Sequence, residues 1–363
     1  MIYILIITFL YAISLLSFCK ITRPVRILIL LLSVIIICIL SGLRWRTGTD
    51  WAAYYNLFNL GGSLSDYLDY WHFEVGFKFI NWLFYSVFDN YSFFLFSIAL
   101  FVIGLKVIVV RDYPYAFLCL FSLFCISVPD LFPTRQQIAV SICIYAIFNY
   151  SKSDRLFFYS LIIGLASTIH MTAIIMLAAP ILLKFRLRTI LLISITTMPV
   201  LAMSFNFIMS EVANIELLNI SHQVESYNRD SGYISFLGLT QRVIIFSFIL
   251  ICYFNNSDNY TKFEIYTIKM FSFGTLLFIF LSSVNVFYSR IALYFSIFEY
   301  IALPLSIYRI LITRKKEHLW AIIGILFLYF SFFSIRFTSQ LNNYYDLYIP
   351  YETIFDSNFK PVY

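Results

Sequence analysis

The sequence predicts an all-α integral membrane protein, and the prediction rests on composition, charge and the length of the apolar segments. Of the 363 residues, 61% are hydrophobic and 12% are charged, and the mean hydropathy is +0.85. Soluble proteins are about 45–50% apolar and about 25% charged, so this chain has too few polar groups to cover a globule in water. Its apolar runs have the length of membrane helices, whereas an outer-membrane strand needs only about ten alternating residues. The composition therefore excludes a soluble enzyme, a nucleic-acid-binding protein and a secreted disulfide-linked domain as first interpretations.

Charge clusters and prolines divide the chain into about twelve candidate transmembrane helices in a single domain, 1–363. A span needs about 20 mostly apolar residues. The predicted spans are 2–19, 27–43, 91–110, 115–129, 135–150, 156–169, 171–184, 189–209, 234–253, 264–284, 290–309 and 319–336. The run 156–184 is divided in two because a charge at its centre, at His170, would be costly inside one span. We expect a tight helical hairpin with His170 at the turn.

Lysine and arginine in the short loops predict the orientation. Sixteen of the 25 basic residues fall in one set of loops, which the positive-inside rule assigns to the cytoplasm. These are Lys20, Arg23, Arg26, Lys106, Arg111, Lys152, Arg155, Lys184, Arg186, Arg188, Lys262, Lys269, Arg309, Arg314, Lys315 and Lys316. Two longer segments, 44–90 and 210–233, are then expected on the outer face, where 74–88 forms an interfacial helix rather than a span.

Cysteine and histidine give little sign of a metal site. The six cysteines lie in or beside apolar runs without a CxxC pair, so we expect small buried side chains and no disulfide framework. The four histidines form neither an HxxxH nor an HExxH motif.

The basic residues outside the predicted cytoplasmic set are mostly arginines. They are Arg44, Arg46, Lys78, Arg135, Arg229, Arg242, Arg290, Arg336 and Lys360. The planar guanidinium group is a bidentate donor that suits phosphate. This bias favours an anionic ligand on the outer face.

Three of these arginines, Arg135, Arg242 and Arg290, are expected near the N-terminal ends of helices that enter from outside. The helix dipole disfavours a cation there by about 0.3–1 kcal/mol, while the free N–H groups at the same end bind anions. Two interpretations stay open. Each arginine pairs with a nearby acid such as Asp130 or Asp50, or two or three of them hold a phosphate or pyrophosphate.

Arg44 and Asp50 belong to one short segment after the second predicted helix. Arg44 ends that helix, where the dipole favours a cation, so it is a weaker candidate for anion binding. Asp50 is either a partner of Arg46 or a helix N-cap. The alternative is a carboxylate that orients a sugar hydroxyl or an arginine.

His170 and the aromatic side chains of the 44–90 segment each allow two interpretations. His170 at an outer turn is either a structural histidine or a general base that works near neutral pH. The aromatic side chains form an interfacial belt or stack against sugar rings. They are Tyr54, Tyr55, Tyr67, Tyr70, Trp71 and Phe73.

The order of these residues resembles the EpsG/Wzy-like family of polysaccharide polymerases. The resemblance extends over residues 40–351 and is carried by an ordered set of short matches. They are Arg44-x-x-x-Gly48-x-Asp50-x-x-x-Tyr54, Phe132-Pro133-x-Arg135-Gln136-x-Ile138-Ala139, His170-x-Thr172-Ala173, Arg290, and Tyr348-Ile349-Pro350-Tyr351.

The resemblance implies an O-antigen or exopolysaccharide polymerase with a glycosyltransferase-C-like architecture. Such an enzyme joins lipid-linked oligosaccharide repeats on the outer face of the bacterial inner membrane. The donor is the growing chain on undecaprenyl pyrophosphate, and the acceptor is a new undecaprenyl-pyrophosphate-linked repeat. Membrane lipid and a chain-length regulator protein are further expected partners, and neither a metal nor another cofactor is expected.

A reaction of this kind, without a metal, needs fixed cations at the leaving pyrophosphate. We expect Arg135 and Arg290 to supply them, with Arg44 or Arg242 assisting.

The acceptor hydroxyl needs a base, for which His170 is the first candidate and Asp50 the second. Gln136 and Tyr54, which lie inside the matched motifs, are the expected substrate-binding residues. Two other functions stay open. A polyprenyl-phosphate-sugar-dependent glycosyltransferase carries acids in its first outer loop and would be inhibited by a chelator. A flippase or transporter would place charges along a path open to both faces and often contains internal repeats.

Overall fold

The computed structural model is helical, which confirms the predicted all-α class. It describes residues 2–48, 50–70, 73–126, 134–213, 236–255, 260–284, 288–313, 319–343 and 345–356. Helices account for 84% of the described residues, and these residues contain no β-strand beyond an isolated antiparallel bridge between Arg44 and Thr353. The chain divides into two compact units, the first made of Met1–Ile174 with Ile307–Tyr363 and the second of Ile175–Ser306.

The first unit contains eleven α-helices among the described residues, and a twelfth reaches into it from the second unit. The eleven are α1 (Ile2–Ser14), α2 (Arg23–Leu43), α3 (Trp51–Phe58), α4 (Leu64–Asp69), α5 (Val75–Phe88), α6 (Tyr91–Ile108), α7 (Ala116–Ile126), α8 (Arg135–Ser153), α9 (Leu156–Ile169), α16 (Leu319–Asn343) and α17 (Tyr345–Tyr348). The twelfth is α15 (Glu299–Thr313), which crosses the boundary between the units. A 3-10 helix, Leu15–Phe18, extends α1.

The second unit contains the helices between these two groups. They are α10 (Ala179–Lys184), α11 (Leu187–Ala213), α12 (Phe236–Asn255), α13 (Lys262–Ser282) and α14 (Leu293–Ser296). Two 3-10 helices accompany them, Met171–Ala178 before α10 and Tyr288–Ala292 before α14. The predicted outer segment 210–233 lies almost wholly outside the described residues.

Seven described helices are long and apolar enough to cross a membrane: Arg23–Leu43, Tyr91–Ile108, Leu187–Ser204, Gly238–Asn255, Lys262–Ser282, Arg290–Ile312 and Ile322–Asn342. Five shorter apolar helical segments accompany them, among them Val75–Phe88, which was predicted as an interfacial helix. A multi-pass membrane protein is thus supported. The number of about twelve spans and the glycosyltransferase-C-like architecture stay predictions.

Helices α2 and α6 pack closely and run in opposite directions. Gly42 makes the approach possible, because a Cβ atom at this position would lie 2.8 Å from Cβ of Phe96. At the other end of the pair, Nε of Arg23 donates to Oδ1 of Asp112 at 2.7 Å. That hydrogen bond and the charges of Arg23, Arg111 and Lys152 lower the pKa of Asp112 although burial opposes them. Lys152 lies in the last turn of α8 and acts on Asp112, which follows α6, so α6 and α8 end on the same side of the unit.

The first turn of α8 lies beside the middle of α6. Ile138 belongs to the same buried cluster as Ile98 and Val102. Lys106, one turn further along α6, reaches back and donates from Nζ to Oε1 of Gln137 at 2.9 Å. Lys106 is fully buried, so its predicted place in a cytoplasmic loop is wrong: it is an interior residue of a helix.

Two further sequence predictions, on Lys269 and on the cysteines, are also corrected by the structure. Lys269 is not a loop residue, because it lies within α13, is buried, and donates from Nζ to the carbonyl of Leu183 at 2.8 Å. Its ammonium group thereby caps the C-terminal end of α10. Among the cysteines, five are buried as expected, whereas Cys19 is exposed.

A C-terminal strap, residues 345–356, binds the chain just after α2. The backbone N–H of Trp45 donates to Glu352 at 2.8 Å, that of Gly48 to Leu347 at 2.9 Å, and that of Ile354 to Leu43 at 3.0 Å. Gly48 adopts φ +110°, a conformation that favours glycine. Two parts of the chain some 300 residues apart in sequence, each overlapping one of the motifs that carry the family resemblance, therefore form one structure.

Candidate active site

Glu74 is the centre of a polar cluster in the first unit. It occupies the N-cap position of α5, with extended backbone before the helix begins at Val75. Its Oε1 atom lies 2.9 Å from Nδ1 of His170, and its Oε2 atom lies 2.5 Å from Nη1 of Arg135. One carboxylate thus contacts His170, the first candidate for the base, and Arg135, one of the two arginines predicted for the pyrophosphate.

His170 lies where α9 ends. Its backbone is extended (φ −149°, ψ 112°), its N–H donates to Ala166, and a 3-10 helix begins at Met171. The predicted helix break at His170 is therefore confirmed, whereas the predicted hairpin is not tested, because the 3-10 helix that follows runs into the second unit. Nδ1 is engaged by Glu74, and Nε2 makes no hydrogen bond to another described residue. The imidazole side chain is 23% exposed.

Arg135 is the first residue of α8, as the helix-end prediction required. Its guanidinium lies 4.6 Å from the centroid of the Phe73 ring, a cation–π contact. Its partner is Glu74 rather than Asp50, while Asp130 lies outside the described residues. The arginine is held on two sides and is 24% exposed.

Tyr54 and Asp50 extend the cluster from α3. The Tyr54 hydroxyl donates to Oδ2 of Asp50 at 3.1 Å and accepts from the backbone N–H of Arg135 at 3.2 Å. Burial and the nearby Asp50 carboxylate raise the pKa of the phenol, so it stays protonated and can donate. Asp50 stands at the N-cap position of α3, but its side chain makes no cap hydrogen bond.

The electrostatics of Glu74 favour its ionised form. Burial alone would raise the pKa of this carboxyl group. The hydrogen bond from His170 and the charges of Arg135 and His170 outweigh that effect and lower the pKa to about 2. Glu74 is therefore a carboxylate at neutral pH, and it accepts hydrogen bonds from both partners and from the backbone N–H of Met171 at 3.3 Å.

A glycine allows α5 to reach α9 at this point. A Cβ atom on Gly76 would lie 2.5 Å from Oγ1 of Thr168 and 2.8 Å from its carbonyl oxygen. Gly76 is two residues from Glu74, and Thr168 is two residues from His170. The contact of the two helices thus sets the distance between the carboxylate and the imidazole.

Arg44 occupies a different environment. It is 2% exposed, and Nη1 donates to the carbonyl of Thr47 at 3.4 Å. The tyrosine hydroxyl groups that act on its charge belong to Tyr54, Tyr91, Tyr348 and Tyr351. Two of these belong to the C-terminal strap, so Arg44 lies beneath the strap and is not open to a ligand in this structure.

The remaining predicted residues are not part of the described cluster. Arg242 lies on α12 with its guanidinium 3.6 Å from the Phe278 ring, and Arg290 is exposed in the 3-10 helix before α14. Both belong to the second unit. Gln136 follows Arg135 directly and is half-buried. In the described part of the chain, no group of three or more His, Cys, Asp or Glu side chains could hold a metal ion.

Glu74 was not predicted as a site residue. In the sequence it marks only the start of the predicted interfacial helix 74–88. One signal was available, since an acid directly before an amphipathic helix is favoured by the helix dipole and often marks the N-terminus. Nothing in the local sequence connects Glu74 to residues 61 and 96 positions away.

Comparison with family models gives one result that covers most of the chain. The model of the EpsG family matches residues 27–353. Comparison with curated proteins and with solved structures gives no match. The matched range includes the Glu74 cluster and most of the C-terminal strap, and it confirms the resemblance to EpsG/Wzy-like polymerases. This chain belongs to the EpsG family.

Proposed function

We propose that this protein is a polysaccharide polymerase that joins lipid-linked oligosaccharide repeats at the outer face of the bacterial inner membrane. Family membership supports a glycosyltransferase-like polymerase in general. The observation that carries the specific proposal is the shared carboxylate of Glu74, with His170 on one oxygen and Arg135 on the other. This arrangement supplies a base and a fixed cation side by side.

The reaction balances with these two groups. The acceptor hydroxyl attacks the anomeric carbon of the donor sugar, and its proton passes to Nε2 of His170. The bond between that carbon and the undecaprenyl pyrophosphate oxygen breaks as the new glycosidic bond forms. Arg135 stabilises the negative charge on the departing pyrophosphate. His170 then releases its proton to water.

Glu74 is a positioning residue in this scheme. A carboxylate that accepts from Nδ1–H holds the neutral imidazole in the tautomer whose Nε2 lone pair is free to accept a proton. The same carboxylate and the Phe73 ring hold the guanidinium in place, so little reorganisation accompanies the reaction. Tyr54 supports the start of α8 through the backbone N–H of Arg135.

The test is polymerisation in vitro with purified protein and lipid-linked repeats, followed by gel analysis of chain length. We expect Arg135→Ala to lower the rate by about 100-fold or more, the range seen when one transition-state donor is removed. Arg155→Ala is the matched control, because Arg155 also lies over a phenylalanine ring, 5.7 Å from the centroid of Phe158. It stands at the N-terminal end of α9, whereas His170 stands at the C-terminal end. Near wild-type chain growth by Arg135→Ala, at normal protein level, would overturn the pyrophosphate assignment.

His170 is tested with two amides. Glutamine places its amide near the position of Nε2, and asparagine places its amide near Nδ1, where it can still reach Glu74. Neither side chain accepts a proton at neutral pH. We expect both variants to lose chain growth while keeping the protein folded. Polymerisation by His170→Gln at the wild-type rate would remove His170 as the base.

A further inference from the structure

Arg44 is a buried cation that the proposed reaction does not use. Its side chain is 2% exposed, so it does not reach a substrate in this structure. Four tyrosine hydroxyl groups act on its charge. Two belong to the strap, Tyr348 and Tyr351, and the others to Tyr54 on α3 and Tyr91 on α6. Arg44 therefore lies between the C-terminal strap and α3.

The strap is fixed on the helices beside it by contacts of its own. The hydroxyl of Tyr3 in α1 donates to the carbonyl of Tyr348 at 3.0 Å. The Tyr3 ring meets the ring of Tyr351 edge to face, with centroids 6.0 Å apart, and the Tyr351 hydroxyl donates to the carbonyl of Leu40 in α2. Both strap tyrosines are thus held beside Arg44 by the protein itself.

The strap also fixes the backbone on both sides of Arg44. The backbone N–H of Ile354 donates to Leu43 just before it, and that of Trp45 just after it donates to Glu352. A short turn then leads to α3. The end of α2 and the approach to α3 are therefore tied to the strap.

Tyr54 connects this arrangement to the start of α8. It is buried in the first turn of α3, and its hydroxyl accepts from the backbone N–H of Arg135 at 3.2 Å. Arg135 is the first residue of α8, and its side chain is the cation of the proposed reaction. Because Tyr54 faces both Arg44 and Arg135, the placement of one arginine affects the placement of the other.

We propose that Arg44 is a positioning residue for the reaction and that the strap keeps it in place. Its guanidinium group holds the hydroxyl oxygen atoms of the strap and of Tyr54 around one charge, and Tyr54 then fixes the first residue of α8. Arg44 acts in this way without touching the substrate. The effect on turnover rests on the proposed function, whereas the placement of Arg135 does not.

Initial rates of polymerisation separate positioning from binding. They are measured with purified protein over a range of concentrations of the lipid-linked repeat. We expect Arg44→Lys to lower kcat about tenfold with KM unchanged, because lysine keeps the charge but not the planar fork, and small displacements in a site are costly. In a Tyr54→Phe background the same substitution should cost less than about twofold, because the connection to α8 is already lost.

Hydrogen exchange gives a readout that does not depend on the reaction. The Tyr54 hydroxyl protects the backbone N–H of Arg135, whose exchange is followed by mass spectrometry of overlapping peptides. We expect Arg44→Lys and Tyr351→Phe to speed this exchange about tenfold. Tyr351→Phe removes a single oxygen atom and serves where Arg44→Lys does not fold. The matched control is Tyr329→Phe, which also removes a buried hydroxyl that donates to a backbone carbonyl, at 2.9 Å, and should keep the wild-type exchange and kcat.

Each outcome decides the proposal. A higher KM at unchanged kcat in Arg44→Lys would make Arg44 a ligand-binding residue and overturn it. So would an equal loss of kcat in the wild-type and Tyr54→Phe backgrounds, or unchanged exchange at Arg135 in both Arg44→Lys and Tyr351→Phe. If exchange rises in these variants while Arg135→Ala and His170→Gln still polymerise, the catalytic assignment fails and the placement of α8 through Arg44 stands.

Discussion

Glu74 shows how a single carboxylate can organise a site at the residue scale. Its Oε1 atom contacts His170 and its Oε2 atom contacts Arg135, so neither side chain is oriented independently of the other. Removing a partner from a partly buried ion pair leaves the other charge poorly compensated. The cluster therefore behaves as one unit, and single substitutions in it are expected to be non-additive.

The pKa of Glu74 gives a prediction for stability. Because this pKa is about 2 in the folded protein and 4.5 for an ordinary glutamate, the ionised group stabilises the fold above pH 4.5 and loses this effect as pH falls toward 2. We expect Glu74→Gln to lower the free energy of unfolding at pH 7 by roughly 2 kcal/mol. The apparent Tm in detergent should fall accordingly. The difference from the wild type should shrink below pH 4.5, where Glu74 takes up a proton. A difference that grows as the pH falls below 4.5 would contradict this prediction.

At the residue scale, sequence reasoning predicted the members of the cluster better than their connections. Helix-end arguments and the family motifs indicated Arg135, His170, Asp50 and Tyr54, and the structure brings all four into one hydrogen-bonded chain through Glu74. Arg44 also belongs to one of these motifs, but it is buried beneath the strap. A charge count cannot distinguish an arginine open to a ligand from one enclosed by tyrosines, since that depends on residues about 300 positions away.

At the element scale, the site depends on how α5 meets α9. Helix α5 is a short apolar helix, and its place is set by the contact between Gly76 and Thr168. Amphipathic patterning predicted this helix, because the pattern is local. It could not predict which helix α5 packs against, and the C-terminal strap gave no periodic signal at all, since it binds through backbone hydrogen bonds rather than an apolar face.

Substituting Gly76 tests this dependence. The Cβ atom of Gly76→Ala would approach the carbonyl oxygen of Thr168 to 2.8 Å, so α5 must move away and carry Glu74 from His170. We expect a destabilised protein with polymerisation reduced about tenfold or more, because small displacements in a site are costly. The matched control is Gly164→Ala on α9, where an added Cβ has no neighbour within 4 Å. This control should be neutral or slightly stabilising, and equal losses in the two variants would contradict the contact.

At the scale of the whole molecule, the first unit has two ends of different character. One end collects Arg23, Arg111, Asp112 and Lys152, and the other carries the 44–90 segment with its aromatic cluster. The Glu74 cluster forms where the N-termini of α5 and α8 meet the C-terminus of α9, and α8 begins beside the middle of α6.

The polarity of the unit predicts which end faces outward. The basic end is expected in the cytoplasm by the positive-inside rule, and the 44–90 segment outside, where the proposed reaction takes place.

Ser65 and Ser153 are exposed at the two ends. In a background with the exposed Cys19 replaced by serine, a membrane-impermeant maleimide should label Ser65→Cys in intact cells and Ser153→Cys only after permeabilisation. Labelling of both variants in permeabilised cells is the control for accessibility. The reverse pattern would place the cluster at the cytoplasmic face and contradict an outer-face polymerase, while family membership would be unaffected.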